Sequence, residues 1–100
     1  MVKLEKSASF VQMTRAFGKF YPAFRPLIAS RLLLLAKNPF DPALKTRQVY
    51  TKRYGTMLSS EIKNDIRIIW DFAGSKKTRI RLLAIGSHKE PLKVYSRRGG

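Results

Sequence analysis

Four side chains in the second half of the sequence are of the types needed to cleave RNA without a metal ion: Arg67, Arg81, His88 and Tyr95. In that reaction the 2′-hydroxyl attacks the neighbouring phosphate, so a protein must move protons and stabilise charge on phosphoryl oxygens. Arginine offers a rigid fork of donors that fits phosphate oxygens, and stabilising developing charge is usually the largest catalytic contribution. An imidazole, with a pKa of about 6.5, transfers protons near neutral pH. The tyrosine could polarise the 2′-oxygen or stack on a base.

These residues also have structural interpretations. Arg67 could form an ion pair with a carboxylate close in sequence, the candidates being Glu61, Asp65 and Asp71. A single histidine is commonly a structural or surface residue, and Tyr95 could belong to the core. The residue types alone leave both interpretations open.

A second set of residues is suited to contacts with a nucleic-acid backbone. Its members are Lys45, Arg47, Lys52, Arg53, Arg79 and Tyr54. Basic contacts to phosphates position nucleic acid without selecting its sequence, and aromatic side chains among basic residues stack on bases. We expect Tyr54 to be exposed and Trp70 to lie in the core. The alternative for each cation is a solvated surface charge.

The charge of the chain favours a polyanionic partner. Its 100 residues include 21 Lys and Arg but 6 Asp and Glu, which gives a formal net charge of +15 and a pI near 10.9. Such an excess repels itself in the folded state. It favours nucleic acid, because each neutralised phosphate releases counterions, or an acidic protein that covers the surface. A basic ribosome-binding protein without catalytic activity would have the same composition.

The composition also excludes several classes of site. The chain has no cysteine, so disulfides, thiolate nucleophiles and cysteine-zinc sites are excluded. With a single histidine, we expect no protein-only metal site and no cofactor. The longest apolar stretch, residues 32–36, is far shorter than the about 20 residues that cross a membrane. We therefore expect one cytoplasmic domain over residues 1–100.

The first half of the chain predicts a strand and two helices. Residues 2–6 alternate apolar and polar side chains, as a short strand does. Ser7 or Ser9 can cap a helix whose apolar side chains recur every three or four positions from Phe10. A second helix is expected over residues 25–37, with a leucine stripe wider than one contact surface needs. That stripe indicates either a helix covered on two sides or an apolar patch for a partner.

The second half predicts strands. Two prolines stop the second helix within residues 38–42, and residues 43–55 are expected to form a basic loop. Alternating patterns then predict three strands joined by tight turns, over residues 57–62, 65–72 and 78–85. Val94 and Tyr95 could add a short strand or cap the sheet edge.

This order predicts an α+β fold: an N-terminal strand, a helical hairpin, and a three- to four-stranded antiparallel sheet packed on the helices. In the central strand, Arg67 points away from Ile66 and Ile68. We expect it on the open face of the sheet, where it meets Arg81 and His88 in one anion-binding hollow.

Three stretches of the sequence resemble the RelE/ParE superfamily of type II toxin–antitoxin toxins, and most closely its RelE/YafQ-like branch. Residues 38–45 are similar to the turn that follows the helical hairpin in that family. Residues 64–70 resemble a strand with a central arginine, often written D-Y-R-I-I-Y. Residues 83–88, followed by Val94 and Tyr95, resemble a closing I-G-T-H…V-Y. The resemblance covers about residues 3–96. The chain departs from it at Arg47, where many YafQ-like relatives have histidine.

The resemblance implies a RelE-like fold and a function. It implies a ribosome-associated mRNA endoribonuclease that inhibits translation, neutralised by an acidic antitoxin protein. It also implies a catalytic or phosphate-binding role for Arg67, Arg81, His88 and Tyr95. The alternatives are a ParE-like toxin that binds DNA gyrase and cuts no RNA, a non-catalytic RNA- or ribosome-binding protein, and a decayed toxin that lost activity through Arg47.

Overall fold

The structure, a computed structural model, describes residues 1–96 and has the predicted order of elements. Strand β1 spans Lys3–Lys6, helix α1 Ala8–Phe20 and helix α2 Phe24–Lys37. A 3₁₀ turn at Pro42–Leu44 leads to strands β2 (Arg47–Thr51), β3 (Gly55–Lys63), β4 (Ile66–Phe72) and β5 (Arg79–Gly86). The α+β class and the helical hairpin are confirmed.

Helix α1 begins and packs as its sequence predicts. The Ser7 hydroxyl accepts a hydrogen bond from the backbone N–H of Phe10 at 3.0 Å, which satisfies one of the unpaired donors of the first turn. Phe10 and Phe17 of the apolar stripe are buried, whereas Tyr21, just beyond the helix, is exposed. The helix is thus fixed to the core along one face.

Helix α2 carries the wide leucine stripe. Ile28 and Leu35 are buried in the core, and Leu32 and Leu34 pack partly against it. Leu33, in contrast, is 54% exposed. The helix is therefore covered along most of the stripe, with one leucine left at the surface.

The sheet has five strands in the order β1-β5-β4-β3-β2. Strands β3 to β5 are antiparallel neighbours, as predicted. Strand β2 adds an antiparallel edge strand beside β3, and β1 joins the sheet as a parallel partner of β5. The prediction of a loop over residues 43–55 was wrong for the middle of that segment, because Arg47–Thr51 forms strand β2 and pairs with β3. Arg47 and Gln48 on this edge strand are exposed, which explains why its sequence reads as a loop.

Two clusters of buried side chains lie on opposite faces of β4. Ile66, Ile68 and Trp70 pack with the helices in the first cluster. Ile69 packs with Val49, Leu83 and Tyr95 in the second. Alternation along the strand puts Arg67 on the face of Ile69. The predicted core position of Trp70 is confirmed.

Residues 87–96 return across the end of the sheet without forming a full strand. Single bridges join Ser87 to Lys93 and Tyr50 to Ser96. Gly86 permits this path, because a Cβ at that position would collide with the Leu92 carbonyl and the Val94 side chain. The segment is thereby held against the end of β5. Among the helices of residues 1–96, none is long and apolar enough to cross a membrane.

Candidate active site

A polar pocket of about 500 Å³ lies where the β3–β4 turn, the residues before β2 and the segment after β5 meet. Its lining comprises Lys45, Arg47, Glu61, Asn64, Asp65, Arg67, His88, Lys89 and Tyr95. Four of these side chains are cationic and two are carboxylates, apart from the histidine. The pocket therefore suits an anion that also needs acid–base groups around it.

Arg67 forms the floor of the pocket and is 3% exposed. Its Nε donates to the Ser59 hydroxyl at 2.8 Å, and its Nη2 donates to the carbonyls of Lys45 and Ser59. The expectation that Arg67 stands on an open face was wrong, because the Lys45 backbone and the β3 strand cover it. Its predicted direction, away from Ile66 and Ile68, is confirmed.

The buried guanidinium keeps donors for a ligand. No carboxylate of residues 1–96 lies within ion-pair distance of Arg67, so the ion-pair interpretation is wrong. Its Nη1 donates to none of the described residues. Burial lowers the pKa of Arg67 below its ordinary value, and the charge of Arg47 lowers this pKa further, but an arginine stays protonated in proteins. The charge of Glu61 acts on Arg67 in the opposite sense, but no carboxylate of residues 1–96 forms an ion pair with it, and such a buried cation favours an incoming anion.

His88 is held by a carboxylate on the neighbouring turn. Its Nδ1 lies 3.4 Å from Asp65 Oδ2 and 3.5 Å from the Tyr95 hydroxyl. The Ser87 hydroxyl donates to the same Asp65 oxygen. That hydrogen bond, more than any other contact, lowers the pKa of Asp65. Asp65 is therefore an ionised carboxylate within ion-pair distance of Nδ1, and the opposite ring nitrogen, Nε2, is directed away from it.

Tyr95 combines the two interpretations given to it. Its ring is buried in the second core cluster, and its hydroxyl donates to the Asp65 carbonyl at 2.5 Å. The hydroxyl thus lies beside His88 in the pocket, with the ring as a rigid support.

Lys45 and Arg47, expected to contact RNA, line the same pocket. Lys45 ends the 3₁₀ turn in a left-handed conformation, with φ of 46°. This conformation directs its carbonyl to Arg67 while its side chain lies 3.4 Å from Glu61. Backbone and side chain of one residue therefore contact two members of the site.

Three further predicted RNA contacts lie around a second cavity of about 700 Å³. Lys52, Arg53 and Tyr54 belong to the turn between β2 and β3 and line this cavity, which shares Tyr95 with the polar pocket. The Arg53 guanidinium lies 5.1 Å from the centre of the Tyr54 ring. Tyr54 is half-buried by this contact and by the core, so its expected exposure was only partly right.

Arg79 and Arg81 lie outside the pocket. Arg67 is paired with Gly86, whereas Arg81 is paired with Asp71 at the other end of the sheet. Arg81 is thus five residues from Gly86 along β5, or about 17 Å at strand spacing. Arg79 binds Glu5 at 3.0 Å. The expectation that Arg81 joins Arg67 and His88 in one hollow was wrong, because alternation fixes the face of a residue and not its position along the strand.

Several members of the site were missed from the sequence. Asp65 holds His88, Ser59 holds Arg67, and Glu61 lines the pocket. Strands β4 and β5 are antiparallel, with Ile69 paired to Ala84 and Arg67 paired to Gly86. If this pairing is continued two residues beyond Arg67 and Gly86, Asp65 lies opposite His88. A predicted hairpin with that register could have identified Asp65. Within residues 1–96, no three His, Cys, Asp or Glu side chains group as metal ligands.

No model of a protein family matches the chain, and no curated protein matches it in sequence. Solved structures do match. A YoeB/ParE toxin from Agrobacterium tumefaciens is 16% identical, with a TM-score of 0.68 over 88% of this chain and 100% of that one. A copper-bound mutant toxin from Helicobacter pylori is 24% identical, with a TM-score of 0.66 over 91% and 99%. A conserved hypothetical protein from Helicobacter pylori is 21% identical, with a TM-score of 0.57 over 88% and 96%.

At identities this low the similarity establishes the fold. The chain has the fold of the RelE/ParE superfamily of toxins. The fold that the sequence resemblance implies is therefore confirmed, across nearly the whole length of the neighbours.

Proposed function

We propose that this protein is the toxin of a type II toxin–antitoxin system and cleaves mRNA on the ribosome. The observation that carries the proposal is the pairing, in one pocket, of a buried arginine that retains donors with a histidine fixed by a carboxylate. The fold shared with proteins described as toxins supports it. A DNA-gyrase binder would have no use for an oriented imidazole beside a buried guanidinium.

Arg67 is the group that binds the scissile phosphate. Its Nε and Nη2 are held by β3 and by the Lys45 carbonyl, so the guanidinium is already oriented before RNA arrives. The Nη1 donors can then bind the phosphoryl oxygens as negative charge grows there. Donors fixed in a water-poor site stabilise such charge without reorganisation. Lys45 and Arg47 add positive charge at the entrance.

His88 is the group that moves a proton. Because the Asp65 carboxylate lies 3.4 Å from Nδ1, it favours a proton on that nitrogen, and Nε2 is the atom that can exchange a proton with RNA. Protonated His88 can donate to the departing 5′-oxygen, so that a 2′,3′-cyclic phosphate and a 5′-hydroxyl are formed. The Tyr95 hydroxyl, near the histidine, closes this side of the site.

The proposed partners follow from charge. Lys52 and Arg53 continue the basic surface beyond Tyr95, along a path for the RNA strand next to the scissile phosphate. An acidic antitoxin would neutralise the net charge of +15 and cover the pocket, since complementary charge steers association. The ribosome would supply the mRNA in an extended form.

The test compares Arg67→Ala with Arg81→Ala, which removes the same charge from the same sheet outside the pocket. Ribosomes carrying a defined mRNA are mixed with each protein, and cleavage is mapped by primer extension. We expect wild type and Arg81→Ala to cleave alike and Arg67→Ala to lose at least about tenfold, as for loss of one oxyanion donor.

Equal rates for the two arginine variants would reject the role of Arg67. Intact mRNA with all proteins, together with inhibition of purified gyrase, would replace the proposal by a ParE-like function. RNA binding with a steep salt dependence but no cleavage would indicate a non-catalytic binder or a decayed toxin.

A further inference from the structure

The second cavity lies beside the polar pocket, and the proposed reaction uses only its basic rim. The two share Tyr95 as a lining residue. The second cavity, here called the Tyr54 cleft, has a volume of about 700 Å³, and its apolar and aromatic lining includes Met13, Tyr54, Ala84 and Val94. Ligand-binding clefts are commonly of this size and largely apolar. The Tyr54 cleft is thus a second candidate binding site, next to the place where a phosphate would bind to Arg67.

The rim of the Tyr54 cleft is basic. Lys52, Arg53 and Lys93 lie on it together with the carboxylate of the described lining, Glu90, and all four residues are exposed. Within residues 1–96, none of the three cations lies within ion-pair distance of a carboxylate. Cations around an aromatic floor fit a nucleotide, because the base can stack on the floor while the phosphates meet the rim. Continuity with the Arg67 pocket favours RNA over an acidic peptide as the occupant.

The ring of Tyr54 is held in position by the turn that carries it. The Thr51 hydroxyl accepts from the Tyr54 backbone N–H and donates to the Gly55 carbonyl, both at 2.9 Å. Thr51 is itself buried, and the Tyr54 ring packs partly against the second core cluster. A side chain that is already fixed loses little freedom when it binds a ligand, which favours affinity.

Arg53 covers part of the Tyr54 ring. Its guanidinium lies 5.1 Å from the ring centre, and its Nη1 donates to the Ser9 hydroxyl on helix α1 at 3.2 Å. Both contacts are at the surface of the protein. A cation over an exposed ring contributes less than a base stacked on the same ring. A base can therefore displace the guanidinium, which gains a phosphate of the same strand as a stronger partner.

We propose that the Tyr54 cleft binds the base of the nucleotide on the 3′ side of the cleaved bond, an inference that rests on the proposed nuclease function. His88 protonates the 5′-oxygen, which belongs to that nucleotide. The Tyr95 hydroxyl lies 3.5 Å from His88 Nδ1, and Tyr95 also lines the cleft. The base stacks on the Tyr54 ring in place of Arg53, and Arg53 binds an adjacent phosphate. Because every base has a π-face, the cleft accepts all four bases and serves to place the strand.

The first test measures binding without cleavage. A short single-stranded RNA with 2′-O-methyl groups has no nucleophile, and one 2-aminopurine in it loses fluorescence when it stacks. Wild type should quench this probe. Tyr54→Leu should abolish the quenching and weaken binding by about 5- to 150-fold, the range for loss of one stacked base. Tyr54→Phe, which keeps the ring, should behave like wild type.

Two further variants control this test. Tyr21→Leu removes another partly exposed ring, which does not line the cleft, so it should leave binding and quenching unchanged. Ser9→Ala removes the hydrogen bond that holds Arg53 over the ring, so it should bind RNA at least as tightly as wild type. Weaker binding by Ser9→Ala would contradict the displacement of Arg53.

The second test locates the base in the substrate. An abasic nucleotide on the 3′ side of the cleaved bond in ribosome-bound mRNA should lower kcat/KM by the same factor as Tyr54→Leu. The two changes together should lose no more than one alone, because both remove the same contact. An abasic nucleotide on the 5′ side should instead be additive with Tyr54→Leu. Additive losses on the 3′ side, as expected if Tyr54 only supports the fold, would overturn the assignment.

The outcomes separate this inference from the proposed function. Cleavage by wild type without quenching that depends on Tyr54 would overturn the base site and leave the nuclease proposal standing. Quenching that depends on Tyr54, with ribosome-bound mRNA left intact by wild type, would support a base-binding cleft but overturn the nuclease proposal and the assignment to the 3′ nucleotide. Unchanged RNA binding by Tyr54→Leu, together with weaker binding of a synthetic acidic peptide, would make the cleft a peptide site and reject the inference.

Discussion

Removal of one buried hydroxyl should disable Arg67 without touching its charge. Ser59 is fully buried, accepts from Arg67 Nε at 2.8 Å and donates to the Arg47 carbonyl at 3.1 Å. Ser59→Ala removes one of the three hydrogen bonds that orient the guanidinium. A buried donor left without its acceptor costs about 1–3 kcal/mol, and the guanidinium can relieve that cost by turning away.

The loss of orientation should appear in kcat. A misplacement of about 1 Å at a reacting centre can cost about 100-fold, so we expect Ser59→Ala to lower kcat by about 10- to 100-fold. The variant should also be about 1–3 kcal/mol less stable, because the Arg47 carbonyl loses its donor as well. Cleavage of ribosome-bound mRNA and urea unfolding would measure the two effects separately.

The adjacent serine is a matched control. Ser60 is equally buried, but it pairs with Ile68 on the other face of the sheet. Its hydroxyl accepts from Trp70 Nε1 at 2.9 Å and shares a hydrogen bond with Thr46. Ser60→Ala should therefore lose stability and keep the rate per folded molecule. Equal loss of kcat in both variants, or in neither, would refute the view that Ser59 orients Arg67.

Two further outcomes are expected. Lys52→Ala should weaken RNA binding about equally for all sequences and reduce the salt slope by about one unit, as loss of a phosphate contact does; a loss confined to certain sequences would make Lys52 a base reader. Asp65 has a pKa below its ordinary 3.8 in the fold, so its ionised form contributes stability that is present above pH 3.8 and is lost as pH falls through the folded pKa. The melting temperature of Asp65→Asn should hence lie below that of wild type at pH 7 and approach it at low pH; a constant difference would contradict this.

Some of the site was predictable because it depends on local pattern. Alternation along β4 predicted that Arg67 points away from Ile66 and Ile68. The tight turn between the strands predicted over residues 57–62 and 65–72 is present, with Asn64 at φ 56°. These features need only neighbours in sequence, so a single sequence contains them.

Other parts of the site were not predictable in the same way. The edge strand Arg47–Thr51 has a polar, basic sequence, and its pairing with β3 makes it a strand. Arg67 is buried because the Lys45 carbonyl and Ser59 surround it. Neither contact has a local signal, since hydrogen-bond partners from distant segments decide it.

The sequence by itself determined the basic charge of this protein, the order and kind of its main elements, and the face of the sheet on which Arg67 lies. These depend on composition and on the periods of helices and strands. Only the tertiary structure decided that His88 lies beside Arg67 and that Arg81 does not. Arg81 lies about 17 Å along β5 from Gly86, the residue paired with Arg67. The physical reason is strand register: it is fixed by packing and hydrogen bonding across the whole sheet, and it alone sets which residues of one face become neighbours.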